Sequence, residues 1–353
     1  MAAISVAFIQ LNVPERITQK TVARAAKVDV STVCLALNNS PHLPAATRER
    51  IIAMAEKLGY CRDPMLGALA AYRRAGGAPA FHGVLAWLVN SEGGYDWRAA
   101  PEYRDYHTGA KERAAKLGYQ IALLDLNDYR ENPQRITGVL RARNIRGVLV
   151  CPQPHPHTLL SLNFGDLSAV SFGYTVTSPL LHLVTSHHYA AIRLVLGELR
   201  ARGYCRIGYA IPNSHNERLD NNYMAGYLLE QRDWPADQRL DPFVGEPRPG
   251  PFRQWLRTER PDAVVTTHYV FTEMIDALRI KVPQKLGVAI ISLADNVRAY
   301  AGVDEDSKEV GRVAAGLLAS LVERGEKGIP ERPQRVLVRG VWCEGATLRP
   351  RPA

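Results

Sequence analysis

Much of what this chain of 353 residues lacks can be read at once, and each absence removes a class of function. Its five cysteines, Cys34, Cys61, Cys151, Cys205 and Cys343, are odd in number, widely spaced and free of any CxxC pair. That pattern excludes a disulfide framework and structural zinc, and it suits a reducing compartment. No apolar run approaches the roughly 18–20 residues needed to span a bilayer, so no membrane partner is expected. Low-complexity tracts and repeats at solenoid periods are missing. So are a Walker loop, a nucleophile elbow, an HExxH pair and a paired metal motif. The chain is therefore not expected to be an enzyme, and no catalytic residue, cofactor or metal is assigned. His155 and His157 in the stretch PQPHPHT are read as plain surface in a Pro-rich loop. Residues 1–13 (MAAISVAFIQLNV) are apolar but lack a basic leader and a small-residue cleavage site. Residues 1–15 are thus read as an extension, either disordered or the product of a misassigned start, and the protein as cytoplasmic.

Charge is not spread evenly. The net charge is +9, and residues 16–74 alone carry ten basic and four acidic side chains, or +6 of it. One sixth of the chain therefore holds most of the excess. Localised charge of this kind is what phosphate neutralisation requires.

The same segment reads as short helices joined by a tight turn. Thr18 is a good N-cap, its hydroxyl placed to accept from free amides of the first turn. Val22, Ala23 and Ala26 put small apolar groups on one face, so a second helix can approach closely. Lys27-Val28-Asp29 makes the turn, with Val28 inward and Asp29 capping the next helix, whose apolar face is Val33, Ala36 and Leu37. That second helix opens with Val30-Ser31-Thr32, which puts short polar side chains on its outward first turn. A third helix begins at Ala46-Thr47-Arg48 and stops at Gly59. A helix-turn-helix places the N-terminal end of its second helix in the DNA major groove. The bland alternative, a three-helix module that packs well and binds nothing, is disfavoured by the charge.

These residues resemble the headpiece of the lactose/purine repressor (LacI-type) family of bacterial transcription regulators. The family pattern is matched by Thr18, Val22, Ala23, Ala26, Val28, Thr32, Val33, Leu37, Asn38, Thr47, Arg48, Arg50, Ala55, Leu58, Gly59 and Tyr60. The resemblance implies a hinge helix next, and Asp63-Pro64-Met65-Leu66-Gly67-Ala68-Leu69-Ala70 stands there, with Asp63 a plausible N-cap and Pro64 a favoured first residue. Leu69 holds the position of the family's minor-groove wedge. The DNA-binding residues expected are Thr18, Lys20, Asp29, Val30, Ser31, Thr32, Leu35, Asn38, Arg48 and Leu69. The chain departs from the family at Lys27, where the turn usually has Gly, at Asp29, which replaces a Ser cap, and at Cys34-Leu35, which replaces Ser-Arg. Direct base readout is therefore expected to rest on Val30 and Ser31, with Leu35 touching a thymine methyl.

Beyond the headpiece (16–62) and hinge (63–74), a Gly/Pro-rich linker at 75–81 leads to a core at 82–350. Apolar strand candidates at 83–89, 120–124, 147–150, 205–210, 263–266 and 287–292 alternate with helical stretches at 102–117, 132–143, 188–201, 220–231 and 307–324. Alternation of this kind implies parallel sheets covered on both faces, an α/β core. The resemblance, which runs over about residues 17–349 through KLGY, IRGVLV, RGYCRIGY and RPDAVV, implies a two-lobed periplasmic-binding-protein-like core beneath an all-α headpiece. It also implies a homodimer on double-stranded operator DNA and a small-molecule effector, of the sugar class, in the interlobe cleft. Tyr95 and Trp97 could stack on a sugar ring, or be a partly exposed loop cluster. Asp295 is the leading candidate for binding a ligand hydroxyl, followed by Arg218, His268 and His187. No C-terminal heptad tail follows, which favours a dimer over a tetramer. A ligand-controlled transcription regulator, in the repressor sense, is thus the first reading. The second is a solute-binding protein of a transport system, which uses the same core fold but needs neither the headpiece nor its charge. A steep fall of DNA affinity with salt separates the two.

Overall fold

A computed structural model describes residues 17–37, 43–58, 60, 81–132, 134–267, 271–293 and 299–352. The chain divides into two compact units, 1–78 and 79–353. The extension at 1–15, Asn38, the hinge at 63–74 with Leu69, nearly all of the 75–81 linker, His268 and Asp295 lie outside the described residues.

In the first unit α1 (Gln19–Ala26), α2 (Val30–Leu37) and α3 (Ala45–Lys57) surround one small core. Val22, Ala23, Ala26, Val33, Ala36, Ile51 and Ala55 are buried in it. Their spacing puts them on inner helical faces, and all but Ile51 are small, which lets the backbones come close.

The second unit is α/β. Its first sheet has the order β12-β7-β5-β3-β1-β2, built from β1 (Gly83–Val89), β2 (Tyr119–Asp125), β3 (Gly147–Val150), β5 (Ser168–Phe172), β7 (His182–Ser186) and β12 (Arg335–Val338). All its neighbours run parallel. The second sheet has the order β13-β11-β10-β9-β8, from β8 (Ile207–Ala210), β9 (Ala263–Thr266), β10 (Gly287–Ile290), β11 (Ala301–Asp304) and β13 (Val341–Cys343). Only β13 runs antiparallel. Two short strands, β4 (Thr158–Leu159) and β6 (Val176–Ser178), pair apart from both sheets.

Each sheet has a core on both faces, and the period-2 alternation of a strand decides which residue serves which. Along β1, Leu85, Trp87 and Val89 enter one cluster while Ala86 and Leu88 enter the other. In the second sheet Tyr209, Val265 and Ala289 face one core, and Ala210, Val264 and Val288 the other. Strands buried on both sides read as continuous apolar runs, which is why β1, β3, β9 and β10 were visible in sequence. β5, β7, β11, β12 and β13 were not: β5, β7, β11 and β12 begin or end in polar residues, β13 is only three residues long, and β12 and β13 lie on edges.

The chain crosses between the lobes three times: from β7 into α6 (His188–Ala201), from β11 into α11 (Ser307–Arg324), and from β12 to β13. The crossings touch. The His187 amide donates to the Val338 carbonyl (2.7 Å), and a Cβ added to Gly340 would lie 2.7 Å from the Asp304 carbonyl oxygen. In the first lobe α4 (Pro101–Lys116) packs along α11. A Cβ on Gly109 would sit 1.9 Å from the Lys308 carbonyl oxygen, and one on Gly311 2.0 Å from that of Tyr106. Two glycines thus set how near these helices can come. No helix among the described residues is long and apolar enough to cross a membrane.

Candidate DNA interface and interlobe cleft

The headpiece turn is built from local hydrogen bonds. The Thr18 hydroxyl accepts from the Thr21 amide (3.4 Å), and the Thr21 hydroxyl from the Thr18 amide (3.3 Å), closing a capping box at α1. Lys27 ends α1 in the left-handed region, φ 52° and ψ 49°. That conformation explains the preference for Gly in the family turn; a lysine holds it at a cost of about 1 kcal/mol. The Asp29 carboxylate accepts from both the amide (2.8 Å) and the hydroxyl (2.6 Å) of Ser31, and these two bonds hold its carboxyl below the usual range.

This arrangement sharpens the expected readout. With its proton committed to Asp29, the Ser31 hydroxyl offers only lone pairs, so it can accept from an exocyclic amine of cytosine or adenine but not donate. Leu35 lies one turn further along the same helix face and is 41% exposed. Val30, by contrast, is half-buried against the headpiece core, so part of its surface is unavailable to a base. Lys20 is exposed on α1; Thr32 and Arg48 are half-buried. Sequence reasoning missed a role for Arg50, whose guanidinium donates to the Ala26 carbonyl (2.9 Å) and ties α3 to the C-terminus of α1. A cation opposite an open helix end was the signal for it.

The second site lies between the lobes. Its sequence-derived candidates divide into those that meet and those that do not. Arg218, at the end of the short helix α7 (Asn213–Arg218) in the second lobe, reaches the first. It donates to the Pro154 carbonyl (2.6 Å), the Tyr103 hydroxyl (3.2 Å) and the Tyr95 hydroxyl (3.5 Å), with its guanidinium carbon 6.0 Å from the Tyr95 ring centre. Burial raises both tyrosine hydroxyls, Tyr103 up to about 12, so both stay neutral. Arg218 and Tyr95 are therefore brought together as expected residues, and Tyr103 is a neighbour that sequence reasoning missed.

Trp97 is a correction. It is 5% exposed and belongs to the first lobe's core, its ring 5.7 Å from Trp87 and 5.3 Å from His107, with the Arg98 guanidinium over it. No open face remains for stacking on a ligand. His187 caps α6, its Nδ1 accepting from the Ala190 amide (3.2 Å).

The next residue carries more. His188 is 4% exposed, and its Nδ1 lies 3.0 Å from Glu305 Oε1, itself on the second crossing and 6% exposed. The Tyr223 hydroxyl donates to the same oxygen (2.8 Å), and Thr185 Oγ1 lies 3.4 Å from His188 Nε2. The polar cluster thus knits two crossings of the chain to α8 (Asn222–Arg232). His215, also facing this region, is pushed down to about 4 by burial and by the nearby Arg218 charge. Neither histidine stood out in sequence, because an isolated His in a helical stretch carries no periodic signal.

Residues 18–63 match the family model described as bacterial regulatory proteins, lacI family. That segment is a lacI-family helix-turn-helix domain. The headpiece is thus of the DNA-binding helix-turn-helix kind, and the core has the periplasmic-binding-protein-like fold. The chain is similar to the uncharacterized HTH-type transcriptional regulator YkvZ of Bacillus subtilis (strain 168), at 21% identity over 86% of this chain and 93% of the relative. Among solved structures it resembles the regulator CelR in complex with cellobiose: 21% identity, TM-score 0.51, 94% of this chain and 100% of that one. It also resembles the lac repressor dimer bound to operator and the anti-inducer ONPF: 17% identity, TM-score 0.55, 95% of this chain and 100% of that one. At such identities the two structures establish the fold. Within that domain α2 is the second helix of the helix-turn-helix, and the Arg218 cleft lies between the two lobes of the core.

Proposed function

We propose that this lacI-family regulator is a cytoplasmic repressor that binds operator DNA as a homodimer and is controlled by a small molecule of the sugar class held between its lobes. Headpiece 16–62, hinge 63–74 and core 82–350 divide the work. Ser31 and Leu35 read bases with Thr32, Val30 and Asn38 beside them; Thr18, Lys20, Asp29 and Arg48 set the docking; Leu69 wedges the minor groove. The observation that carries the effector half is the reach of Arg218 from the second lobe to Tyr95, Tyr103 and Pro154 in the first. A ligand entering there must exchange bonds with both lobes at once, so its binding energy acts directly on their arrangement. The relative solved with cellobiose supports a sugar, and the operator-bound dimer supports the assembly. His268 and Asp295 complete the proposed ligand contacts.

The test is selection of binding sites from random duplex DNA, followed by affinity measurements at two salt concentrations. A palindrome with a flexible pyrimidine–purine centre and affinity falling steeply with salt is the expected result. Ser31→Ala should relax preference at one base pair per half-site, by about 1–3 kcal/mol. Absence of any enriched motif would refute the reading.

A further inference from the structure

Among the described residues, Arg218 is held by neutral oxygens. Its partners are a backbone carbonyl and two tyrosine hydroxyls, and among the described residues no carboxylate pairs with it. Another arginine of the same lobe shows the contrast: Arg202 is drawn into the protein by two carboxylates, Glu198 and Glu344. A partly buried guanidinium without a counter-charge is an unfavourable arrangement, because the cation has given up water without gaining an anion. Among the described residues, the nearby carboxylates do not make good the deficit. Glu305 is committed to His188 and Tyr223. Glu102 forms no ion pair with it, and burial raises the Glu102 carboxyl from its ordinary range. His215 adds no acceptor of charge, and it is kept neutral beside the arginine.

The geometry of the neutral ligands matters as well. Three acceptors around one planar fork approximate the oxygen shell that a carboxylate or phosphate would present bidentately. The tyrosine hydroxyls lie at 3.2 and 3.5 Å, long for charge-assisted bonds, so they yield readily to a better acceptor. They come from the lobe opposite the arginine, so an arriving anion would replace the interlobe bridge instead of adding to it.

We propose that the effector is anionic, a small polyhydroxylated molecule bearing a carboxylate or a phosphate ester, and that Arg218 is its counter-ion in place of Tyr95 and Tyr103. This rests on the reading of the cleft as the effector site. The anion discharges the uncompensated cation, while its hydroxyls take the bonds that the two tyrosines release.

The test uses the full chain at fixed ionic strength, with inorganic phosphate, D-glucuronate and D-glucose 6-phosphate as acidic probes and D-glucose and cellobiose as neutral ones. Thermal melting screens each probe and calorimetry gives its dissociation constant. At least one acidic probe should raise the melting temperature above that in equimolar chloride and above either neutral sugar. Which acidic probe prevails distinguishes a sugar acid from a phosphate ester. Arg218→Gln should weaken that probe roughly 10- to 100-fold, the ordinary worth of a charge-assisted pair, and Arg218→Lys by less. If Arg218→Gln fails to fold, Tyr103→Phe serves instead: it frees one arm of the guanidinium and should tighten the acidic probe. Binding of a neutral sugar as tight as any acidic probe, or acidic binding untouched by Arg218→Gln, overturns the anionic assignment and leaves the effector cleft standing. No shift with any probe, acidic or neutral, overturns both.

Discussion

Glu305 offers the sharpest test of how the core is held together, because one carboxylate oxygen on one crossing serves two buried partners, His188 on another crossing and Tyr223 on α8. In Glu305→Ala, the Tyr223 hydroxyl loses an acceptor at 2.8 Å and His188 Nδ1 a partner at 3.0 Å. Tyr223 is 1% exposed and His188 4%, so water does not replace the missing oxygen without rearrangement. Each bond to a charged group is worth about 1.5–3 kcal/mol, and stranding a buried donor costs about 1–3 kcal/mol. Because the lost bond and the stranded donor are two views of one event, the sum is taken once per partner. That gives about 3–5 kcal/mol, before any gain from relieving the carboxylate's own burial. For a core of this size the melting temperature should fall by roughly 5–15 °C. Urea unfolding of the full chain followed through the core transition measures it. Tyr223→Phe alone should cost about 1–2 kcal/mol, and the double variant less than the two singles together, since both remove one bond. A Glu305→Ala protein within 1 kcal/mol of the parent, or strict additivity with Tyr223→Phe, would refute the account of a closed, mutually dependent cluster.

Three further outcomes follow from the same structure. Gly311→Ala should destabilise the core by about 2–4 kcal/mol, since its Cβ would sit 2.0 Å from the Tyr106 carbonyl oxygen; Gly316→Ala, whose nearest neighbour is Arg113 Nε at 3.5 Å, should be neutral or slightly stabilising, and chemical denaturation of both variants decides it. Lys27→Gly should relieve the left-handed turn by about 0.5–1 kcal/mol net of the added freedom of the unfolded chain, slowing hydrogen exchange in α1 and α2 roughly two- to fivefold. His107 and His215 are both held down to about 4 by burial, aided by the Lys111 charge at the first and the Arg218 charge at the second. Each imidazole is neutral in the folded core but protonates near pH 6.5 once unfolded, so stability is full above that pH and is lost as pH falls toward 4. Between pH 7 and 4.5 the two should remove about 2–3 kcal/mol in total once solvent screening is allowed for, and an unchanged urea midpoint across that range would contradict the shifts.

What could be read from the residues alone is what local physics decides. The small apolar positions Val22, Ala23, Ala26, Val33 and Ala36 recur at helical spacing, and Thr18 and Asp29 are caps whose partners lie two or three residues away; both signals survive without knowledge of the rest of the molecule. The doubly buried strands β1, β3, β9 and β10 declare themselves as continuous apolar runs for the same reason. The cleft is another matter. Tyr103 meets Arg218 across 115 positions, and His188 meets Glu305 across 117, so no spacing rule connects them. Trp97 looked like a platform because an aromatic in a loop can face either way, and only the packing of Trp87 and His107 turned it inward. Gly109 and Gly311 likewise read as ordinary helix-weakening glycines until two helices were laid side by side. The amino-acid order determined the headpiece and the alternating α/β core, since these depend on neighbours a turn or a strand away. The tertiary structure decided which charges are paired, which rings are covered and which arginine, among the described residues, meets neutral oxygens alone, because those depend on groups that folding alone brings together.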